Sequence, residues 1–434
     1  MELRPPLDPA AAREEAARCL ECGGPLAPPP CVVACPAEID VPEFIRSIAE
    51  GDPVRGGEVI FAENPLGASC ARVCPVEVLC EGACVLAREG RRPVEIGRLQ
   101  RYAADRALAA GRPAGREPAN GRRIAVIGAG PAGLACAAEL ASRGYAVTVY
   151  EAREEPGGLL RYAVAPYRQW REPLPAEVWR IARMGVEFRF GHPIDRPERW
   201  RAIEAQADAI FLGVGMGADG EMRLPGDDLP GVWASLPFIE AIKTGRPPEV
   251  GRRVVVIGGG NTAVDVARLS VRMGAEEVRV LYRRTEAEMP AYRHEVEEAR
   301  AEGVRFEWLV APVRFLGATR LEAVECRRMR LGAPDGSGRP HPEPVLGSEF
   351  LVEADTAVKA IGQRPRAEFL RWIDGLELED GRIRVDPDTG RTGHPKVFAG
   401  GDAVNGGATV VEAVRTAKVA ARAIDRSFRG GGAG

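Results

Sequence analysis

Apolar residues along this chain come in short runs broken by glycine, and two of the runs share one plan. Residues 123–151, RIAVIGAGPAGLACAAELASRGYAVTVYE, read as an unbroken apolar run, a glycine turn, a stretch with Ala and Leu on one helical face, and a second apolar run. Residues 253–284, RVVVIGGGNTAVDVARLSVRMGAEEVRVLYRR, repeat it. Unbroken apolar runs bounded by turns suit strands buried on both faces, as in a parallel sheet with helical crossovers. A third stretch, HPKVFAGGDAVNGGATVVEAVRTAKVAARAI at 394–424, predicts a short strand, a turn and a long Ala-rich helix from near Thr409. Upstream of residue 108 the pattern changes. Residues 10–20, 41–49 and 94–110 read as helices and no strand alternation occurs, so a small helical module is expected there. Residues 108–123, LAAGRPAGREPANGRR, carry Gly, Pro and Arg without apolar periodicity and mark its boundary.

The glycines of the two repeats have assignable work. In the first, Gly128 permits the tight turn, Gly130 lets backbone approach a pyrophosphate, and Gly133 lets helix and strand pack closely. Glu151 ends the second strand, where a carboxylate can accept from ribose hydroxyls. In the second repeat Gly258, Gly260 and Ala263 take those places, but the strand ends in Tyr282, Arg283 and Arg284. Guanidiniums there can grip a 2'-phosphate that an acid would repel, so NADPH is expected in preference to NADH. Asp402, beside a helix start, suits the ribityl hydroxyls of a flavin. Together the three stretches resemble the two-dinucleotide-binding-domain flavoprotein pattern, and that resemblance implies FAD and NADPH, with the NADPH domain inserted into the FAD domain.

The 434 residues suffice for two or three cores without cysteine staples, and a formal net charge of -3 gives no footprint for nucleic acid or a membrane surface. No leader pattern and no long apolar run is present, so a cytoplasmic location with reduced thiols is expected. Eight of the ten cysteines nevertheless fall in the first 84 residues. Their spacing is C-x2-C-x8-C-x3-C-P and then C-x3-C-P-x4-C-x3-C. A Cys-Pro ending is a feature of bacterial ferredoxin runs, while paired thiolates at short spacing also serve zinc. Cys136 and Cys326 stand alone, which excludes a disulfide-reductase pair. His192, His294, His341 and His394 are scattered and suggest surface or loop positions.

The cysteine frame, GAGPAGL, GGGNTAVDVAR, YRRTEAEMPA, AIGQRP and GGD together resemble the family of the glutamate synthase small subunit and the N-terminal half of dihydropyrimidine dehydrogenase. The resemblance covers the whole chain. It implies an α/β fold: a helical domain with two [4Fe-4S] clusters (1–115), an FAD domain in two segments (116–249 and 360–434) and an inserted NAD(P)H domain (250–359). It further implies that Cys19, Cys22, Cys31 and Cys84 hold one cluster, and Cys35, Cys74, Cys80 and Gln100 the other, Cys70 being no ligand. Gly128, Gly130, Gly133, Glu151, Gly158, Arg168, Gly401, Asp402 and Thr409 would bind FAD; Gly258, Gly260, Asn261, Thr262, Arg283 and Arg284 would bind NADPH. The stretch from Gly157 to Trp170 departs from the family pattern by a proline displaced one place, and the loop between Cys22 and Cys31 is longer than usual.

No side-chain acid or base is required for such a protein. The expected activity is an NAD(P)H-dependent oxidoreductase, passing electrons through FAD and the clusters to a second redox subunit, an FMN-containing reductase. Gln100, where glutamate synthase relatives tend to have Glu, favours the electron-input subunit of a bacterial dihydropyrimidine dehydrogenase acting on uracil or thymine. The alternatives are the small subunit of NADPH-dependent glutamate synthase, a ferredoxin-linked NADPH oxidoreductase, and a non-enzymatic dinucleotide-binding scaffold with zinc on its cysteines.

Overall fold

A computed structural model describes residues 5–24, 27–334, 336, 338–365 and 368–429. By contact the chain divides into two compact units, residues 1–164, 168–217 and 365–434 in one, residues 165–167 and 218–364 in the other.

The first unit is built on a five-stranded parallel sheet in the order Val397–Ala399, Ala209–Leu212, Arg123–Ile127, Ala146–Tyr150, Glu187–Arg189. Alternate residues of its central strands feed two cores, as the period of two requires. Ile124, Val126 and Phe211 meet the helices Pro131–Ser142 and Val410–Arg429 on one face. Ile127, Ile210 and Leu212 meet Trp200, Ile203 and Leu370 on the other.

The N-terminal helices start where the sequence places their caps. Asp8, Asp40 and Asp52 each stand one or two residues before a proline and accept from first-turn amides of Pro9–Ala16, Val41–Ala49 and Pro53–Glu63. Their apolar faces, with Phe44, Ile45, Ile48, Ile60 and Leu99, join the same core as Leu134, Leu140, Val414 and Ile424. The expected boundary at 108–123 is therefore a change of chemistry and not of packing. The helix Ile96–Ala110 runs into it, and beyond Gly111 the backbone is tied down: the Arg112 carbonyl accepts from Arg180 at 2.9 Å, and the Glu117 amide donates to Ser142 at 2.7 Å.

The second unit carries its own parallel sheet, ordered Val232–Ala234, Thr356–Lys359, Arg253–Ile257, Glu277–Tyr282, Arg305–Trp308. A three-stranded antiparallel sheet, Val310–Leu316, Ala323–Pro334 and Pro340–Glu353, follows within it. The main segment of this unit starts at Ala218, where the resemblance implied an inserted domain from 250, because Val232–Ala234 pairs with Thr356–Lys359. Three residues are too short a run to read as a strand. Cys136 is a core residue of its helix, as expected. His394, expected at the surface, is instead buried, with its ring 2.9 Å from Glu204.

Candidate cofactor sites

The cysteines fall into two neighbourhoods. Cys19, Cys22, Cys31 and Cys84 line one pocket, walled by apolar side chains such as Leu20 and Ile45. Burial pushes the Cys31 thiol up to about 12, and the charges of Cys19 and Cys84 add to the shift. Cys19 is also raised by burial, with Cys22 and Cys84 contributing. Cys35, Cys70, Cys74 and Cys80 form the second neighbourhood. Cys74 is raised well above the ordinary thiol value by its hydrogen bond to Cys70 and by burial, with Cys80 and Cys35 adding to it. Burial raises Cys35 too, but backbone amides of Ile39, Ala37 and Glu38 pointing at its sulfur oppose that. Each neighbourhood gathers half-buried or buried cysteines, and metal binding would hold their sulfurs as thiolates.

Four thiols frame the first pocket, a donor set that suits a [4Fe-4S] cluster. Gln100 is buried on the helix Ile96–Ala110, and its Nε2 donates to the Gly67 carbonyl at 2.7 Å. A carbonyl can only accept, so this bond fixes which end of the amide is oxygen. Gly67 opens the helix Gly67–Val73, which carries Cys70 and delivers Cys74 at its end.

The first glycine turn is as tight as its sequence implies. Gly128 has φ +98, and a Cβ on Gly133 would lie 1.9 Å from the Gly128 oxygen. Gly158, at φ +51, backs onto Gly130, where its added Cβ would come within 3.0 Å of the Gly130 Cα. Glu151 accepts from the Ala129 amide at 2.7 Å and the Arg153 amide at 2.9 Å, so its carboxylate pins the turn from below. Arg168 is half-buried in the same unit. Across the sheet Gly401 has φ +70 and donates to Thr416 Oγ1 at 2.8 Å. Asp402 accepts from Ala408 at 3.2 Å, and burial raises its pKa. Thr409 caps the last helix: its carbonyl and hydroxyl accept from Glu412. Thr416 escaped the sequence reading, since a hydroxyl inside a helix carries no signal of its own.

In the second unit Gly258 has φ +144, and a Cβ there would lie 2.1 Å from the Ala360 oxygen. Gly260 precedes the helix Asn261–Arg272 with nothing within 4 Å of an added Cβ. Asn261 Oδ1 accepts from the Tyr292 amide at 2.9 Å, and Thr262 is half-buried beside it. The arginine pair divides. Arg283 is exposed, whereas Arg284 is 4% exposed and its Nε donates to the Pro340 carbonyl at 2.8 Å. A ring also closes on the turn: a Cβ on Gly259 would strike Tyr282 at 2.4 Å.

Residues 1–112 match the family model described as dihydropyrimidine dehydrogenase domain II, 4Fe-4S cluster, and residues 122–417 that of pyridine nucleotide-disulphide oxidoreductase. Over 432 residues the chain is 38% identical to the glutamate synthase [NADPH] small chain of Halomonas elongata, covering 95% of this chain and 90% of that one. It belongs to the glutamate synthase small-chain family. The Escherichia coli small chain is 37% identical over 98% of this chain and 93% of its own. The NADPH-Fe(3+) oxidoreductase subunit beta of Geobacter sulfurreducens is 39% identical, but this chain spans only 63% of it. Mycobacterium tuberculosis FprA shares the fold at TM-score 0.59 and 21% identity, over 72% of this chain and 85% of that one. The protein is thus an NAD(P)H-dependent oxidoreductase whose cofactors are FAD, [4Fe-4S] and NADPH. Among the described residues no helix is long and apolar enough to cross a membrane.

Proposed function

We propose that this chain is the electron-input subunit of a two-subunit reductase, and that its cysteines hold two clusters in the sets Cys19, Cys22, Cys31, Cys84 and Cys35, Cys74, Cys80, Gln100. When bound, FAD accepts a hydride from NADPH and the clusters carry the electrons singly to the partner. The observation carrying this reading is the pocket lined by the first four thiols, in a chain that also carries two dinucleotide turns.

The chain's own residues hold and orient. Gly130 and the start of its helix would receive the FAD pyrophosphate, Glu151 fixes the turn and would keep lone pairs for a ribose, and Asp402 would accept from the ribityl hydroxyls. Arg283 alone takes the 2'-phosphate, because Arg284 is committed to Pro340. Three flavin-fold side chains reach the chain segments of the Cys35 set, Lys418 at Ala37, Glu177 at Ala68 and Ser69, and Gln169 at the Ser69 hydroxyl. The pocket of the Cys19 set is lined only by residues of the helical module, among them the exposed Leu20. The Cys35 set therefore stands on the flavin side and the Cys19 set on the partner side.

The partner is an FMN-containing reductase. Gln100 favours one that reduces uracil or thymine: a neutral amide leaves the cluster one charge less negative than a Glu ligand would. The near end-to-end likeness to glutamate synthase small chains favours a second reading, in which the partner is the large amidotransferase chain.

Anaerobically purified protein should be brown and contain about eight iron and eight sulfide per chain, as two cubanes require. Zinc in their place, or an FAD that NADPH bleaches but that passes nothing to a one-electron acceptor, would end the proposal. Co-expression with the neighbouring reading frame separates the readings: NADPH-dependent loss of uracil supports the first, glutamate formation from glutamine and 2-oxoglutarate the second.

A further inference from the structure

Lys418 is an anomaly in this chain. Of 59 Lys and Arg residues only four are lysines, at 243, 359, 396 and 418, so lysine is the rare cation of this chain. Lys418 is 5% exposed, on the last helix of the flavin fold. Its Nζ donates to the Ala37 carbonyl at 3.0 Å, the Glu63 carbonyl at 2.9 Å and Glu63 Oε2 at 2.5 Å. An ammonium has three donors, and here three acceptors meet them. The planar fork of an arginine could not reproduce that arrangement.

Ala37 gives the contact its meaning. It lies two residues past Cys35, and its amide is among those aimed at the Cys35 sulfur. Lys418 thus holds the carbonyl of a residue whose N–H faces a proposed cluster ligand, and sets a buried positive charge close behind it. Hydrogen bonds to ligand sulfur and nearby cationic charge both favour the reduced, more negative state of a cluster.

We propose that Lys418 is a positioning residue that raises the reduction potential of the cluster held by Cys35, Cys74, Cys80 and Gln100. Glu63 acts as its counterweight. The inference rests on the ligand sets of the preceding section. Removing the cation lowers the potential; removing the carboxylate, with Lys418 still bound to the Ala37 and Glu63 carbonyls, raises it.

The test is an EPR-monitored redox titration of the reconstituted full-length chain. Cys35→Ser, made with Lys418 intact, first identifies the wave belonging to that cluster; if no wave responds, the ligand assignment itself has failed. Lys418→Met should then shift this wave negative, the reduced-to-oxidised ratio at fixed poise falling at least tenfold, or 59 mV for one electron, with the other wave unmoved. Glu63→Gln should shift it the opposite way. Opposite signs are what a merely structural contact would not produce. An unchanged wave in Lys418→Met, or a Glu63→Gln wave that fails to rise, overturns the proposal, and the second decides if the first variant does not retain its cluster.

Discussion

Arg283 and Arg284 are adjacent in sequence and opposite in circumstance. One guanidinium faces solvent at the end of the strand Glu277–Tyr282; the other is enclosed and bonded to the Pro340 carbonyl. Arg283→Ala should therefore raise the KM for NADPH about tenfold or more, the loss of one charge-assisted phosphate contact, while leaving NADH kinetics and the melting temperature nearly unchanged. Arg284→Ala should do the reverse: it removes a buried side chain and strips the half-buried Pro340 carbonyl of its donor, at a cost of about 1–3 kcal/mol, with both cofactors affected equally. Steady-state kinetics with each nicotinamide, run beside thermal melts, check both outcomes. If Arg284→Ala selectively impaired NADPH, the assignment of the phosphate to Arg283 alone would fail. The sequence could suggest a cationic strand end, but not which member was spoken for. That depends on Pro340, 56 residues away.

At the scale of elements, local chemistry was legible and long-range chemistry was not. Gly128, Gly133 and Gly258 could be read because their constraints come from neighbours a few residues off or from a backbone conformation closed to other side chains. The capping aspartates were equally local. Glu177 was not legible: a Glu in the helix Leu174–Ala182 looks like a solvated face. Yet it is fully buried and caps the helix Gly67–Val73, accepting from the Ala68 and Ser69 amides at 2.9 Å each and from the Ser69 hydroxyl at 2.5 Å. Burial outweighs those donors and pushes its carboxyl up to about 7, with Arg72 opposing the shift. Raised above its unfolded value, the group favours the fold while it is protonated in both states. That contribution is complete below the unfolded pKa near 4.5 and is lost as pH climbs through about 7. Across that window the protein should lose roughly 3 kcal/mol relative to Glu177→Gln, which has no proton to give up. Melting temperatures of the two proteins from pH 4.5 to 8 should diverge in favour of the variant as pH rises. Parallel curves would mean that the carboxyl is ionised throughout.

The whole molecule is organised differently from its motifs. Sequence reading drew three modules, with a linker isolating the cysteines, whereas packing makes two units. The helical module and the flavin fold share a single core in which Phe44, Ile48 and Leu99 lie with Leu134, Val414 and Ile424. Part-buried ionic contacts cross the same seam, Lys418 to Glu63 and Arg180 to Glu58. Apolar surface uncovered by removing the module would cost on the order of 25 cal/mol per Å². The second unit has an independent core around Val255, Leu281, Phe315, Val324 and Val352. Two truncations test this division. Residues 218–364 alone should unfold in one cooperative transition by circular dichroism. Residues 116–434, although they retain every proposed FAD and NADPH residue, should aggregate or melt well below the full chain and bind FAD poorly. Should that second fragment instead be monomeric and fully flavinylated, the cysteine module would be an appendage, and the buried contacts between Lys418, Glu63 and Ala37 would have no bearing on how the flavin fold stands.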